Sequence, residues 1–265
     1  MTATRAGSTR TVSGTDSAYS VADGVAVVEF GGSGRNTFPT EKMERLTVLV
    51  GEAAEDSRVR ALVFGAGEGR SFGVGGDFNE VGTFTGGREV ARWINACVDL
   101  YRSVLAFPKP TVAAVEKYCI GIGLQLALCA DWRLATARAD LRMPELKLGI
   151  SCILGAPLLY ERVSAHVANR MIIGCGSWSA GQALADGLVD EIAAGPLLPT
   201  SVRLAGEFGE YQQVPVSRTK AFVNNRLIMR LEEARIAAIE GHRAGFAASS
   251  AAQEKMRSIV AGRDA

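Results

Sequence analysis

The hydrophobic positions of the chain alternate between two spacings. Short apolar runs rich in β-branched residues at VADGVAVVEF (21–30), RVRALVFGAG (58–67) and TVAAVEKYC (111–119) predict buried strands. Apolar residues at helical spacing in 39–56 and 88–105 predict helices, the first with Thr40 as its N-cap. Strands that alternate with helices indicate an α/β fold with crossover connections.

The pattern changes towards both ends of the chain. The first residues are polar and rich in Ser, Thr and Gly, whereas helical spacing dominates from about residue 200 onward, especially in 217–241. We therefore predict a flexible N-terminal tail at 1–18, a core domain at 19–200 and a C-terminal helical subdomain at 201–265. No apolar run approaches the roughly 18 residues of a membrane span, so no membrane association is expected.

The composition of the chain indicates which kind of molecule the protein binds. The chain has 265 residues, and its 29 Lys and Arg nearly balance its 28 Asp and Glu. Because this balance provides no global field, a small-molecule partner is expected and nucleic acid is not. Five scattered cysteines and two histidines show neither a disulfide framework nor metal-ligand spacing, which predicts no metal site and a cytoplasmic protein.

Two glycine-rich segments stand where a strand gives way to a helix, at RSFGVGGDFNEV (70–81) and YCIGIGLQ (118–125). Each offers free backbone N–H groups at a helix start, where the macrodipole favours negative charge. Two such sites facing each other could hold one oxygen between two donors, as an oxyanion hole does. Tight turns alone would also account for the glycines. A dinucleotide site is disfavoured because Leu126 and Phe78 replace the third glycine of GxGxxG.

A carboxylate stands in an apolar setting at LRMPELKLGI (141–150). Glu145 follows Pro144, which places it in a turn or a first helical turn, between Met143 and Leu146. A carboxyl group held among apolar side chains has a raised pKa and can act as a general acid or base near neutrality. A first-turn glutamate that complements the helix dipole is the alternative.

Taken together, GVGGDF, KPTVAAVEKYCIGIG and MPELKLGI resemble the crotonase (enoyl-CoA hydratase/isomerase) superfamily, in order and in register over roughly 20–195. The resemblance implies a crotonase fold of repeated ββα units, with a C-terminal helical region that supports a homotrimer or a dimer of trimers. It also implies a coenzyme A thioester as substrate and no separate cofactor.

The resemblance assigns residues to the thioester. Its carbonyl oxygen would accept hydrogen bonds from the amides of Gly76 and Ile122. Gly75 and Gly121 would let the backbone approach it closely. Val74 stands where the nearest subgroup usually has a smaller residue, so the acyl pocket could admit alkylmalonyl groups.

Departures from the hydratase pattern bear on the reaction. Hydratases of this family use two glutamates; the second aligns with Glu145, but the first falls on Gln125, whose amide exchanges no proton near neutrality. WINACVDLYRSVLAFPKPTVAAV and MPELKLGISCILGA resemble the carboxymethylproline synthase subgroup of carbapenem antibiotic biosynthesis, which carries Gln at that position. GHRAGFAA resembles a subgroup segment that makes His242 an active-site candidate.

The subgroup implies three steps: decarboxylation of malonyl-CoA or an alkylmalonyl-CoA, coupling of the enolate to pyrroline-5-carboxylate, and thioester hydrolysis with Glu145 activating water. Gln125 would bind the departing carboxylate or the second substrate. His242, or a nearby Arg or Lys, would hold the imino-acid carboxylate. An enoyl-CoA hydratase/isomerase, a malonyl- or methylmalonyl-CoA decarboxylase, and a non-catalytic RNA-binding or scaffold protein of the same fold remain alternatives, as does a Cys152 nucleophile.

Overall fold

The computed structural model describes residues 8–11, 17–32 and 35–262. Its strands are β1 (Ser8–Thr11), β2 (Ala18–Ala22), β3 (Val25–Glu29), β4 (Ala61–Gly65), β5 (Gly73–Val74), β6 (Thr111–Val115), β7 (Tyr118–Ile120), β8 (Trp132–Ala135), β9 (Asp140–Arg142), β10 (Ser177–Ser179) and β11 (Glu191–Ile192). Its helices are α1 (Thr40–Glu55), α2 (Phe78–Val81), α3 (Arg88–Leu105), α4 (Ile122–Ala127), α5 (Gly155–Arg162), α6 (Ala165–Ile172), α7 (Ala180–Ala185), α8 (Leu197–Gly209), α9 (Gln213–Ala248) and α10 (Ala251–Val260). A short 3-10 turn spans Glu145–Leu148.

The larger sheet has the strand order β1-β2-β3-β4-β6-β8-β11. The β1–β2 and β2–β3 pairs are antiparallel, whereas the pairs from β3 onward are parallel. The single strand predicted at 21–30 is in fact divided between β2 and β3, because Asp23 and Gly24 have positive φ and form the hairpin turn. Parallel strands connected through helices confirm the predicted α/β class.

The smaller sheet has the order β10-β9-β7-β5, and its β9, β7 and β5 are parallel. The strand predicted at 111–119 is broken at Lys117, which has a φ of +53°. β6 before the break belongs to the larger sheet, and β7 after it belongs to the smaller one. The break therefore carries the chain from the central sheet to the edge where the glycine-rich segment 118–125 begins.

Helices α1 and α3 follow the predicted apolar spacing closely. Met43, Leu46, Leu49 and Val50 are buried in α1, and α3 has the predicted bounds. The predicted cap is wrong, because Pro39 occupies the N-cap position and Thr40 is the first helical residue, without a side-chain cap. The side chain of Pro39 has no acceptor, and the backbone N–H of Thr40 instead donates to Glu80 Oε2 at 2.9 Å.

The C-terminal region is helical, as predicted. The 36-residue α9 packs against α3 and α5, and α10 packs against α2. α8 crosses the predicted boundary at 200 and packs on the larger sheet. Within the predicted tail, Ser8–Thr11 form β1 and residues 1–7 and 12–16 lie outside the described residues. Among the residues described, no helix combines the length and the apolar character that a bilayer span requires.

Candidate active site

The two glycine-rich junctions lie next to each other because β5 and β7 are neighbouring parallel strands. Gly73 pairs with Cys119 and Val74 with Ile120, so the segments that follow leave the sheet at the same edge. One leads through Gly75 and Gly76 into α2, and the other leads through Gly121 into α4. The register thus brings together two helix starts that are 44 residues apart in sequence.

The glycines around Ile122 have two separate structural reasons. Gly121 has a φ of +55°, and a Cβ there would lie 3.3 Å from Glu145 Oε1 and 3.5 Å from Gly75 Cα. Gly123 lies against β5, where a Cβ would meet the carbonyl oxygen of Gly73 at 2.8 Å. Gly121 therefore makes room for the carboxylate, and Gly123 lets α4 pack directly on β5.

Asp77 holds the first junction in place. Its Oδ1 accepts the backbone N–H of Asn79 at 2.8 Å and that of Glu80 at 3.3 Å, which caps α2. Its Oδ2 accepts the Thr37 hydroxyl at 2.8 Å. Because both carboxylate oxygens are used in these bonds, the loop of Gly75 and Gly76 is fixed at its exit.

Glu145 begins the 3-10 turn directly after Pro144. Burial raises the pKa of its carboxyl group from 4.5 to about 7, although a hydrogen bond from Gln125 opposes the shift. Gln125 Nε2 donates to Glu145 Oε1 at 2.9 Å, whereas Oε2 is buried and has no hydrogen-bond partner among the described residues. A carboxyl group of this kind is close to half-ionised at neutral pH and has one oxygen left for substrate or water.

Gln125 is itself held from the other side. The hydroxyl of Tyr101, on α3, donates to Gln125 Oε1 at 2.9 Å, and both side chains are buried. Tyr101 lies on the apolar face of the helix predicted at 88–105, and its spacing is that of an ordinary core residue. Nothing in its spacing signals a polar contact with a residue 24 positions away.

One cavity of about 410 Å³ brings the predicted site residues together. Its lining includes all eight: Val74, Gly75, Gly76, Gly121, Ile122, Gln125, Glu145 and His242. It also includes residues that sequence analysis did not single out, among them Arg35, Trp93, Arg142 and Ser151. An arginine or serine carries no local signal of a site, because these residues are common on any surface.

His242 reaches the cavity from α9. Its Nδ1 donates to the carbonyl oxygen of Ala238 at 2.7 Å, and its Nε2 lies 3.4 Å from Ser151 Oγ. The ring packs edge-on against Trp93, with 5.6 Å between the ring centres. Burial lowers the pKa of His242, so the imidazole is neutral at pH 7 and its Nε2 is an acceptor.

Cys152 lies close to this site without the properties of a nucleophile. Burial is the main cause that raises the pKa of its thiol well above 9, and the charge of Glu145 raises it further. A thiol in that state carries negligible thiolate at neutral pH. No group of His, Cys, Asp and Glu in the described ranges is arranged to hold a metal ion.

Comparison with known proteins identifies the family. The Enoyl-CoA hydratase/isomerase family model matches residues 20–259. A carboxymethylproline synthase from Pectobacterium carotovorum is 38% identical over 200 residues, which cover 75% of this chain and 80% of that protein. A short-chain-enoyl-CoA hydratase from Clostridium acetobutylicum is 28% identical over 194 residues, 71% of this chain and 73% of that protein.

Solved structures share the fold. The structure of ThnE from S. clavuligerus superposes with a TM-score of 0.71 at 37% identity and covers 83% of this chain and 97% of its own. An enoyl-CoA hydratase from Mycobacterium marinum superposes with a TM-score of 0.78 at 22% identity, over 85% of this chain and 98% of its own, which shows the shared fold alone. The predicted crotonase fold is confirmed, and the chain belongs to the enoyl-CoA hydratase/isomerase family, the crotonase superfamily.

Proposed function

We propose that this protein is a carboxymethylproline synthase-like enzyme. It takes malonyl-CoA or an alkylmalonyl-CoA, couples the derived enolate to pyrroline-5-carboxylate and releases carboxymethylproline and coenzyme A. The observation that carries the proposal is the pairing of one carboxyl group, Glu145, with an amide, Gln125, at 2.9 Å. In this family, the addition of water across a double bond uses two proton-transferring side chains. A site with a single such side chain is poorly suited to that reaction.

The first step breaks the bond between the malonyl carboxylate and the α-carbon. Carbon dioxide leaves, and the electron pair moves onto the thioester oxygen as an enolate. The amides of Gly76 and Ile122 would donate to that oxygen; Ile122 is the first residue of α4, where N–H groups have no partner within the helix, and Gly76 lies two residues before α2. No side chain needs to gain or lose a proton in this step, which is why Gln125 is compatible with it.

In the second step the enolate carbon attacks the C=N carbon of pyrroline-5-carboxylate, and the ring nitrogen takes up a proton. Glu145, with a pKa of about 7, is protonated in a large share of molecules and can supply that proton. The imino-acid carboxylate needs a cation. Neutral His242 offers the carboxylate neither a charge nor a free N–H, because its Nδ1 donates to Ala238, so Arg35 or Arg142, which also line the cavity, are the better candidates.

The third step hydrolyses the new thioester. Ionised Glu145 takes a proton from water, and the hydroxide attacks the carbonyl carbon, while the same two amides hold the tetrahedral oxyanion. The C–S bond then breaks, and Glu145 passes the proton taken from water to the thiolate. The new carboxylic acid ionises at neutral pH, and the proton that it releases restores protonated Glu145 for the next coupling.

The relatives support this reaction over others. The 38% identical protein is named a carboxymethylproline synthase, whereas the short-chain-enoyl-CoA hydratase is 28% identical. We also propose that the enzyme acts in the cytoplasm as a homotrimer or a dimer of trimers. The exposed side chains of Phe222, Met229 and Ile236, seven residues apart along α9, form an apolar row that a neighbouring subunit could cover.

The test is to incubate the pure protein with malonyl-CoA, with and without pyrroline-5-carboxylate, and to follow free thiol and product mass. We expect release of coenzyme A and a carboxymethylproline mass that requires the imine. Accumulation of acetyl-CoA without coupling would instead identify a decarboxylase. Rapid hydration of crotonyl-CoA would identify a hydratase.

A further inference from the structure

A chain of three polar side chains runs from the core to the cavity, with Tyr101 and Gln125 buried and Glu145 half-buried. The Tyr101 hydroxyl donates to Gln125 Oε1 at 2.9 Å, and Gln125 Nε2 donates to Glu145 Oε1 at 2.9 Å. The chain joins α3, α4 and the 3-10 turn, which are separate elements of the fold. It ends at Glu145 Oε2, a buried oxygen without a partner among the described residues.

An amide such as that of Gln125 can in principle face either way, because its oxygen and nitrogen have nearly the same shape. With the amide reversed, its oxygen would face Glu145 and would favour the protonated carboxyl group. The Tyr101 hydroxyl resists that reversal. The hydroxyl also contacts the Cys97 thiol, but sulfur is a weak acceptor, and a buried hydroxyl that exchanges the Gln125 oxygen for it loses much of its hydrogen-bond energy.

The tyrosine is well suited to this role. Tyr101 is fully buried, and that burial raises the pKa of its phenol well above 10, so the hydroxyl keeps its proton throughout the pH range of activity. Its ring is packed in the core and its hydroxyl therefore approaches Gln125 from a fixed direction. Because the Tyr101 hydroxyl always donates to Gln125 Oε1, Gln125 Nε2 always faces Glu145 as a donor.

We infer that Tyr101 is a positioning residue that acts on Glu145 through Gln125. It orients the amide so that Gln125 Nε2 always donates to Oε1 of Glu145, which leaves Oε2 as the single oxygen that exchanges protons with substrate and water. The contacts described above support the orientation of the amide. The effect of that orientation on turnover rests on the proposed function.

Other ionisable groups also surround Glu145, and the test must separate them from Tyr101. They are Arg35, Cys97, Arg142, Cys152 and His242. Arg142 is paired with Asp140 at 2.5 Å, and His242 is neutral. Replacing one tyrosine hydroxyl by hydrogen changes the charge of none of these groups, so a change in the Glu145 titration reports on the hydrogen-bond chain.

The experiment follows the protonation of Glu145 by infrared spectroscopy, using the carboxyl C=O band that Glu145→Gln removes. In Tyr101→Phe the amide is free to reverse and to accept the proton of the neutral acid. We expect the midpoint of titration to rise by about half to one pH unit, the size of one neutral hydrogen bond. The acid limb of coenzyme A release from malonyl-CoA and pyrroline-5-carboxylate should move by the same amount.

Two further variants show whether the effect passes through the amide. Gln125→Met removes the amide, and in that background Tyr101→Phe should not move the midpoint any further. Site-specific 3-fluorotyrosine at position 101 is a stronger donor of similar size, and it should lower the midpoint. This variant also keeps the inference testable if Tyr101→Phe fails to fold.

Tyr19→Phe is the matched control, because the Tyr19 hydroxyl donates to Asp56 at 3.2 Å, outside the cavity lining, and its loss should leave the Glu145 midpoint unchanged. An unchanged midpoint in Tyr101→Phe, or an equal shift in the Gln125→Met background, would overturn the inference. If the midpoints shift as expected while no variant releases coenzyme A from malonyl-CoA, the inference stands and the proposed function fails.

Discussion

The cavity has a backbone wall, formed by Gly75, Gly76, Gly121 and Ile122, and a side-chain wall, formed by Gln125, Glu145 and His242, in which the buried Tyr101 holds Gln125 from behind. The first comes from two neighbouring parallel strands that end in glycine-rich turns. The second gathers single residues from α3, α4, the 3-10 turn and α9. The backbone wall is therefore encoded in short local segments, whereas the side-chain wall depends on how distant elements pack.

The backbone wall should tolerate substitution less well than the side-chain wall does, and Gly121→Ala tests this. Gly121 has a φ of +55°, and the new Cβ would lie 3.3 Å from Glu145 Oε1 and 3.5 Å from the Gly75 backbone. The strain costs about 1–3 kcal/mol of stability or displaces the Ile122 amide. We expect decarboxylation of malonyl-CoA, followed as carbon dioxide release, to fall by about 10²–10³-fold, the usual cost of one lost oxyanion donor.

Gly181→Ala is the matched control for this change. Gly181 lies in α7 with nothing within 4 Å of a new Cβ, so alanine fits without displacing a neighbour. It should leave decarboxylation unchanged and stabilise the protein slightly. If Gly121→Ala behaved like Gly181→Ala, the backbone wall would have no part in enolate formation.

The side-chain wall is tested most strongly by Glu145→Gln. The amide cannot take a proton from water, so we expect coenzyme A release to fall by about 10²–10⁴-fold while carbon dioxide release is kept. Measuring both products in one reaction separates the two walls. An equal loss of both would mean that Glu145 serves the enolate step as well.

The same variant has an opposite effect on stability. The pKa of Glu145 is raised from 4.5 to about 7 in the folded state, so its contribution to stability is complete below pH 4.5 and is lost as the pH rises through about 7. This difference in pKa corresponds to about 3 kcal/mol. Glu145→Gln avoids the loss, and in urea unfolding it should exceed the wild type by up to about 3 kcal/mol at pH 8 and match it near pH 4.5.

The steps should also differ in their response to pH. Coupling needs protonated Glu145 and hydrolysis needs ionised Glu145, so coenzyme A release should be greatest near pH 7 and fall about tenfold for each pH unit well to either side, whereas decarboxylation should stay nearly flat. Parallel assays of carbon dioxide and thiol between pH 5 and 9 measure both. A decarboxylation rate with the same midpoint would remove the division of labour between the two walls.

The sequence predicts the backbone wall in more detail than the side-chain wall for a physical reason. Gly121 and Gly123 are recognisable in the sequence because few residues other than glycine fit where the backbone approaches another group so closely. The residue type at each position therefore indicates the close approach. Tyr101 meets Gln125 only after α3 has packed against α4, so its role is absent from its local pattern. The register of β5 with β7, which places the junctions side by side, is likewise a property of the folded sheet.

Errors in predicted elements have similar causes. The strand expected at 111–119 looks continuous in hydrophobicity, but Lys117 adopts a positive φ and sends the chain to a second sheet. Lysine rarely adopts that conformation, so its identity gives no warning. Glu145 is the contrasting case, because Pro144 and the flanking apolar residues already indicate a turn with a shielded carboxyl group.

The smallest expected effect is at the outer edge of the side-chain wall, where Ser151 lies 3.4 Å from His242 Nε2. Ser151→Ala removes one long hydrogen bond between neutral groups. A neutral hydrogen bond contributes about 0.5–1.5 kcal/mol, and this long one contributes no more than that. The imidazole stays in place, because its Nδ1 donates to Ala238 and its ring packs on Trp93. We expect the ratio of carboxymethylproline to acetate, measured by mass spectrometry, to fall by about two- to tenfold, with carbon dioxide release unchanged. An unchanged ratio would show that Ser151 does not help His242 with the imine, and the functional part of the side-chain wall would then end at Glu145.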